Sequence, residues 1–253
     1  MCLAVVALAA HPHYALVVAA NRDEFHARPA SPAHWWPQHM LAGRDERALG
    51  TWFGVDRRGR FAFVTNVREP GRKDVDAPSR GELVPRILHD VRDIGAACDA
   101  VAHDGRGYNG FNIVAGEMAS AFHLSNRRHG VVPLRQGIHG LSNAALDDPW
   151  PKVTRTRDAL ARWCADGDDA LEPLWSALAD REQARDDMLP ATGISRDRER
   201  LLSAAFIVDA DYGTRASTIL TITHDGVAAF TERSFDAAGS SAGEVAERFA
   251  LST

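Results

Sequence analysis

The sequence predicts an α+β fold, a four-layer αββα sandwich of two mainly antiparallel sheets with helices on the outside. Three observations point there. Apolar runs of strand length come in pairs around short turns, so neighbouring strands are joined as hairpins rather than through helical crossovers. The first two runs are apolar throughout, as expected of strands covered on both faces. The order along the chain is strands, then helices, then strands, and helices with one apolar stripe must bury it against a sheet.

The elements follow in order. Residues 2 to 9 (Cys2 to Ala9) form an apolar strand, His11-Pro12-His13 a turn, and Tyr14 to Ala20 a second strand rich in Val and Leu. Residues 25 to 51 carry Pro29, Pro32 and Pro37 with Trp35, Trp36, His34 and His39 and no clean period. They read as a long binding loop or lid. Trp52 to Val55 and Arg60 to Val67 make a hairpin around Arg57-Arg58-Gly59, with Asn66 at its exit. Ser79 and Glu82 have capping-box spacing, and Leu83, Ile87, Leu88, Val91 and Ile94 then fall on one helical face, up to Asp104–Gly107. Phe111 to Ala115 and Ala119 to Leu124 give a third hairpin, and His139 to Asn143 a loop at a strand end. Val153 to Cys164 and Leu171 to Ala179 read as helices, the first stopped by Gly167 and the second capped by Asp168 or Asp169. Residues 181 to 200 are highly charged and read as solvated. Leu202 to Val208, Ala216 to Thr223 and Val227 to Arg233 read as strands, the last two joined at Asp225-Gly226, and Glu244 to Leu251 as a terminal helix. No repeat or linker divides residues 1 to 253, so a single domain is expected.

Composition narrows the function. The chain has 253 residues, 45% apolar and 25% charged, with a net charge of −5. That is ordinary for a globular protein and lacks the basic face of a nucleic-acid binder. Its three cysteines, Cys2, Cys98 and Cys164, are too few and too widely spaced for a disulfide framework, and no zinc or covalent haem motif is present. No metal site and no required cofactor are expected. The apolar start has no Lys or Arg before Arg22 and breaks at His11, so neither a signal peptide nor a membrane span is expected, and the cytoplasm is the expected compartment.

Two groups of residues can carry chemistry. Cys2, once Met1 is removed, holds a thiol and a free α-amine on one residue, and the amine can act as base for its own thiol. Equally, Cys2 can be a small apolar residue opening a strand. A hairpin returns Asn21-Arg22-Asp23-Glu24 to the neighbourhood of Cys2. There Arg22 can meet a carboxylate, a phosphate or the thiolate, Asp23 can hold the α-ammonium, and Asn21 can donate to an oxyanion. The alternative is an exposed charged turn. Asn66 and Asn143, each at a strand end, are oxyanion-donor candidates that also suit turns, and Arg215 is a second anion contact or a surface ion pair. Among the eleven histidines, His11, His13, His34 and His39 are the ones placed to ligate a haem iron, against the commoner hydrogen-bonding role.

Met1-Cys2, Asn21-Arg22-Asp23-Glu24-Phe25 and Arg28-Pro29 resemble the NRDE-motif family, the transport and Golgi organisation family. The likeness continues through Leu41-Ala42-Gly43-Arg44-Asp45, Gly50-Thr51-Trp52, Thr65-Asn66 and Ser79-Arg80-Gly81-Glu82-Leu83. It also takes in Gly110-Phe111-Asn112, Gly140-Leu141-Ser142-Asn143, Pro149-Trp150-Pro151-Lys152 and Tyr212-Gly213-Thr214-Arg215. It spans nearly the whole chain. The resemblance implies the amino-terminal-nucleophile hydrolase fold. In the cysteine hydrolases of that fold, bile-salt hydrolases and penicillin V acylases among them, an N-terminal Cys is paired with an Arg and an Asp after the second strand. Their Arg and Asp spacing differs from that of Arg22-Asp23. The resemblance further implies intracellular handling of an amphipathic cargo, either haem in trafficking or acyl-CoA in lipid metabolism, with Cys2, Asn21, Arg22, Glu24, Asn66 and Arg215 around the ligand. Its alternative is an N-terminal-cysteine amidohydrolase or thioesterase in which Cys2, Arg22, Asp23 and Asn143 are catalytic.

Overall fold

Strand β1 (Leu3–Leu8) pairs with β2 (Tyr14–Phe25), bringing Leu3 opposite Asn21. The computed structural model describes residues 3–128 and 130–252. The sequence-based role of Cys2 therefore lies outside the described residues. β2 runs five residues further than its apolar stretch, so Asn21-Arg22-Asp23-Glu24 is strand rather than an exposed turn. The extension is held by β11 (Tyr212–Thr223), which pairs with β2 along its length.

β1, β2 and β11 form the centre of a six-stranded sheet completed by β10 (Gly137–Leu141), β12 (Val227–Phe235) and β13 (Ser241–Ala250), in the order β10-β1-β2-β11-β12-β13. The second sheet has seven strands. They are β3 (Ala30–Trp35), β4 (Met40–Asp45), β5 (Phe53–Asp56), β6 (Arg60–Asn66), β7 (Phe111–Glu117), β8 (Ser120–Ser125) and β9 (Val131–Pro133), adjacent in that order. Every described strand pair is antiparallel.

The period of two along each strand divides the core into three layers. Ala4, Val6 and Leu8 of β1 and Leu16, Val18 and Ala20 of β2 meet Phe53, Phe61, Phe63 and Val114 between the sheets. The alternate residues Val5, Ala7, Val17 and Ala19 pack under Leu160, Trp163, Leu174 and Leu178 of α3 (Pro151–Asp166) and α4 (Glu172–Leu178). On the far side, Ala62, Val64, Ile113 and Ala115 pack under α1 (Leu83–Leu88) and α2 (Ile94–Asp104). This is the αββα sandwich the sequence predicts. None of the helices formed by described residues is long and apolar enough to cross a membrane.

Several local expectations are corrected. Residues 25 to 51 hold β3 and β4 rather than a loop. The prolines hid the alternation, but β3 is a sheet edge, where a missing N–H costs no ladder bond. The helical stretch from Leu83 breaks at 89–93, leaving Val91 92% exposed, and Glu82 accepts from the Tyr108 hydroxyl instead of closing a capping box. His139, Gly140 and Leu141 belong to β10 rather than to a loop, because β1 offers them a free edge. The 181 to 200 segment is not wholly solvated. It carries α5 (Arg196–Leu201), whose Glu199 is buried. No strand covers 202–208. Its buried backbone is satisfied by side chains and turns, with Ile207 N donating to Thr214 Oγ1 and Ala205 O accepting from Asn21. The N-cap position of α4 is Leu171, while Asp168 accepts from the nearby Ala170 N. Residues 244 to 250 are in β13, not in a helix. Val245 and Phe249 fit either period, and the open edge of β12 decides for strand.

Candidate functional site

The opposite faces of β2 give its polar tetrapeptide two destinations. Asn21 and Asp23 follow Val17 and Ala19 toward the helices, and Arg22 follows Val18 and Ala20 into the space between the sheets. Asn21 is fully committed there. Its Nδ2 donates to Leu178 O and Ala205 O, both at 2.8 Å, and its Oδ1 accepts from Ser217 Oγ at 2.6 Å. It fastens β2 to α4 and has no donor left for an oxyanion.

Arg22 is buried with its guanidinium 4.3 Å from the Trp52 ring centroid and 3.4 Å from Asp45 Oδ2. The ring can lie there because Gly43 beneath it has no Cβ. An added Cβ would stand 2.3 Å from the indole. Burial pushes Asp45 up, but the Arg28 hydrogen bond at 2.6 Å, backbone donors and Arg22 outweigh it and hold this carboxyl below its usual range. Glu232 completes the cluster, accepting from Ala33 N at 2.7 Å. Burial raises its pKa to about 7. Arg22 is thus a structural cation between the sheets and does not line the cleft described next.

Asp23 and Lys152 form the floor of a cleft of about 520 Å³ at one end of the sandwich. Asp23 Oδ1 accepts from Thr214 Oγ1 at 2.7 Å, and Thr214 in turn accepts from Ile207 N. Asp23 Oδ2 lies 4.0 Å from Lys152 Nζ, with the two side chains 0% and 1% exposed. Lys152 sits in the first turn of α3 behind Pro151, whose fixed φ suits that position. A cation in a first helical turn opposes the helix dipole, and burying it adds a desolvation cost. The Asp23 carboxylate offsets both.

Asn143 is brought to the same cleft, just past the end of β10. Its Nδ2 donates to Asn66 O at 2.9 Å, and its carbonyl accepts from Arg68 N at 2.7 Å, so the two predicted asparagines are joined. Charged groups line the cleft above them. Arg68 pairs with Glu199 at 2.6 Å and lies 4.6 Å from the Trp150 ring, and Glu69 is gripped by Arg127. Arg80 donates to Gly110 O at 3.0 Å, and Lys73 stands with no carboxylate within ion-pair distance among the described residues. Apolar side chains also line the cleft: Phe25, Tyr212, Ile194 and Leu202, with Phe25 half exposed and edge-on to Tyr212 at 5.2 Å.

Of the predicted site residues, Asp23, Asn66 and Asn143 line this cleft. Glu24 accepts from Phe25 N and faces Arg28 at 3.9 Å, away from it. Arg215 falls at the bulge between Thr214 and Ala216 and donates to His26 Nδ1 at 3.0 Å. Sequence reading passed over Lys152, Thr214, Arg68 and Arg80. Lys152, Thr214 and Arg80 lay inside the motifs named above, but a lone Lys after Trp-Pro or a Thr in a strand gives no sign of its burial. Among the described residues, no group of three or more His, Cys, Asp or Glu side chains can hold a metal ion.

The family model described as Transport and Golgi organisation 2 matches residues 1–237. The chain is 35% identical over 240 residues to the Transport and Golgi organization protein 2 homolog of Bos taurus, covering 87% of each chain. It is 33% identical over 243 residues to the Homo sapiens homolog, again 87% of each, and 28% identical over 190 residues to the Drosophila melanogaster protein, 65% of each. Two solved structures share its fold. The Caenorhabditis elegans N-acylethanolamine-hydrolyzing acid amidase ortholog has a TM-score of 0.52 and 12% identity, covering 87% of this chain and 92% of that one. The C2A mutant of the conjugated bile acid hydrolase from Clostridium perfringens has a TM-score of 0.52 and 8% identity, covering 99% and 92%. The fold is that of the amino-terminal-nucleophile hydrolases.

Proposed function

The chain belongs to the Transport and Golgi organisation 2 family, and on that premise we propose that it handles an amphipathic, anionic ligand in the cleft above Asp23 and Lys152. The observation that carries this reading is the mixed lining of the cleft, cationic and apolar side chains together. Arg80 and Lys73 line it together with Phe25, Tyr212, Ile194 and Leu202, over a volume of about 520 Å³. That volume is in the range of small-molecule sites, and a lining of both cationic and apolar side chains suits a carboxylate or phosphate carried on an apolar body. Haem and acyl-CoA both have this form, and as cargo they require no resident cofactor. A cytoplasmic location is part of the same proposal.

A second reading is favoured by the cleft floor. A fully buried Asp–Lys pair beside two asparagines is costly to maintain for binding alone, and perturbed polar groups of this kind concentrate at catalytic sites. The two fold neighbours named above are an amidase and a bile acid hydrolase. In this reading Cys2, freed of Met1, attacks an amide or thioester carbonyl. Its α-amine takes the thiol proton and returns it to the leaving group, Asn143 steadies the oxyanion, and water releases the acyl group.

The experiment is titration with haem and with acyl-CoA, paired with N-terminal mass spectrometry and turnover assays on acylated amino acids and acyl-CoA. Ligand handling predicts saturable binding that survives Cys2→Ala and weakens at least tenfold in Arg80→Ala. Turnover that vanishes in Cys2→Ala, from a chain lacking Met1, would instead establish the hydrolase. Retention of Met1 removes the self-base mechanism.

A further inference from the structure

A second cavity, of about 530 Å³, lies at the other end of the sandwich. β6 connects the two places. Asn66 at its end lines the cleft, while the turn before Arg60 lines this cavity, so the two sites are about 20 Å apart along the strand. The walls come from the β3–β4 turn (Gln38 and His39), the β5–β6 turn (Asp56, Arg57 and Arg58), the end of α1 (Leu88 and His89) and Ser252.

The charge of this cavity is one-sided. Among the described residues Asp56 is its only lining carboxylate, and it is already used. It pairs with Arg58 at 2.7 Å and accepts from the backbone N–H groups of Arg58 and Arg60 at 2.9 and 3.0 Å. Arg58 also donates to Leu88 O at 2.9 Å, so it covers the carbonyl end of α1 that would repel an anion. Arg57 has no carboxylate within 4 Å among the described residues. Its guanidinium lies 4.1 Å from the Trp35 ring centroid and 5.8 Å from that of Phe249. A planar cation held over aromatic rings is oriented in advance and keeps its edge N–H donors free. His39 and His89 stand beside it. His39 has a φ of 61°, a left-handed conformation that a glycine would adopt at less cost.

The tail of the chain fixes the arrangement. Ser252 N and Oγ both donate to Arg57 O, at 2.8 and 3.1 Å, and Leu251 packs on Gly59, where a Cβ would stand 2.6 Å from it. Phe249 and Ser252 lie beyond residue 237, where the family match ends. This cavity is therefore built partly by a segment outside that match.

We infer that Arg57, His39 and His89 form a second, separate site for a phosphate monoester dianion. Arg57 makes the bidentate contact and the imidazoles contribute further N–H donors. The test is calorimetric titration of the intact protein with inorganic phosphate and with phenyl phosphate at low, fixed ionic strength, because such contacts are screened by salt. Saturable binding is expected, with a component that weakens about tenfold in Arg57→Ala and less in Arg57→Lys, and that persists whether the cleft is disabled by Glu69→Arg or left intact. Arg57 is exposed, so the fold should be retained. His39→Gly relieves the left-handed backbone and should weaken binding while holding or raising the melting temperature. Three results would overturn the assignment. One is no binding up to about 10 mM phosphate. Another is binding that falls in Arg80→Ala but not in Arg57→Ala. The third is adsorption to phosphatidate-containing vesicles with no binding of either soluble phosphate.

Discussion

Replacing Lys152 by Met should destabilise the protein far more than an ordinary lysine substitution, and the loss should depend on Asp23. The two side chains are 1% and 0% exposed and their charges lie 4.0 Å apart. At that distance, with an effective dielectric constant near 20, the attraction is about 4 kcal/mol. Removing one partner of a buried pair typically costs about 3–5 kcal/mol, because the other charge is left in a medium that cannot solvate it. Lys152→Met keeps the apolar stem and should cost about 3 kcal/mol, a fall in melting temperature of about 6–12 °C for a domain of this size. Asp23→Asn keeps an acceptor for Thr214 and should cost a similar amount by removing the carboxylate that faces the ammonium. The double variant removes both charges of the pair, so its cost should be near that of one single variant, a coupling of about 2–3 kcal/mol. The assay is guanidinium unfolding at pH 7 for all four proteins. Strict additivity, within about 0.5 kcal/mol, would refute the claim that the pair holds the cleft floor together.

Other outcomes follow from the same structure. Burial raises Glu232 from an ordinary 4.5 to about 7, so the folded state binds the proton more tightly than the unfolded one. Its stabilising effect is full below pH 4.5 and lost as pH rises to about 7, and Glu232→Gln should flatten urea midpoints across that window. The Asp147 hydrogen bond at 2.9 Å raises His139 above its ordinary 6.5, against the opposing effect of burial. That contribution is present below pH 6.5 and fades as pH rises through the folded value. Asp147→Asn should therefore lower the His139 titration midpoint seen by NMR. Gly140→Ala should cost about 1–3 kcal/mol by overpacking, since the new Cβ would stand 2.5 Å from Val153 Cγ1, and Val153→Ala in the same chain should recover part of it in thermal unfolding.

The sequence by itself determined the sandwich and the place of Asn21 beside the start of β1. Paired apolar runs from Leu3 to Ala20 require burial on both faces, and a hairpin obliges Asn21 to lie beside Leu3, whatever else the chain does. Local turn chemistry at Gly167 and Asp225-Gly226 was equally legible, because it depends on a few adjacent residues. Sheet edges decided what sequence reading missed. Residues 30–35, 137–141 and 241–250 became strands because β4, β1 and β12 had unpaired backbone groups to satisfy. The roles within Asn21-Arg22-Asp23-Glu24 were likewise decided by tertiary structure. Adjacent residues on a strand point to opposite faces, so Arg22 went to Trp52 between the sheets while Asp23 went to the cleft. What each then does depends on partners far along the chain, Lys152 and Thr214 for Asp23, and Asp45 and Glu232 for Arg22. Burial and charge pairing are properties of three-dimensional neighbours, and linear spacing carries no record of them.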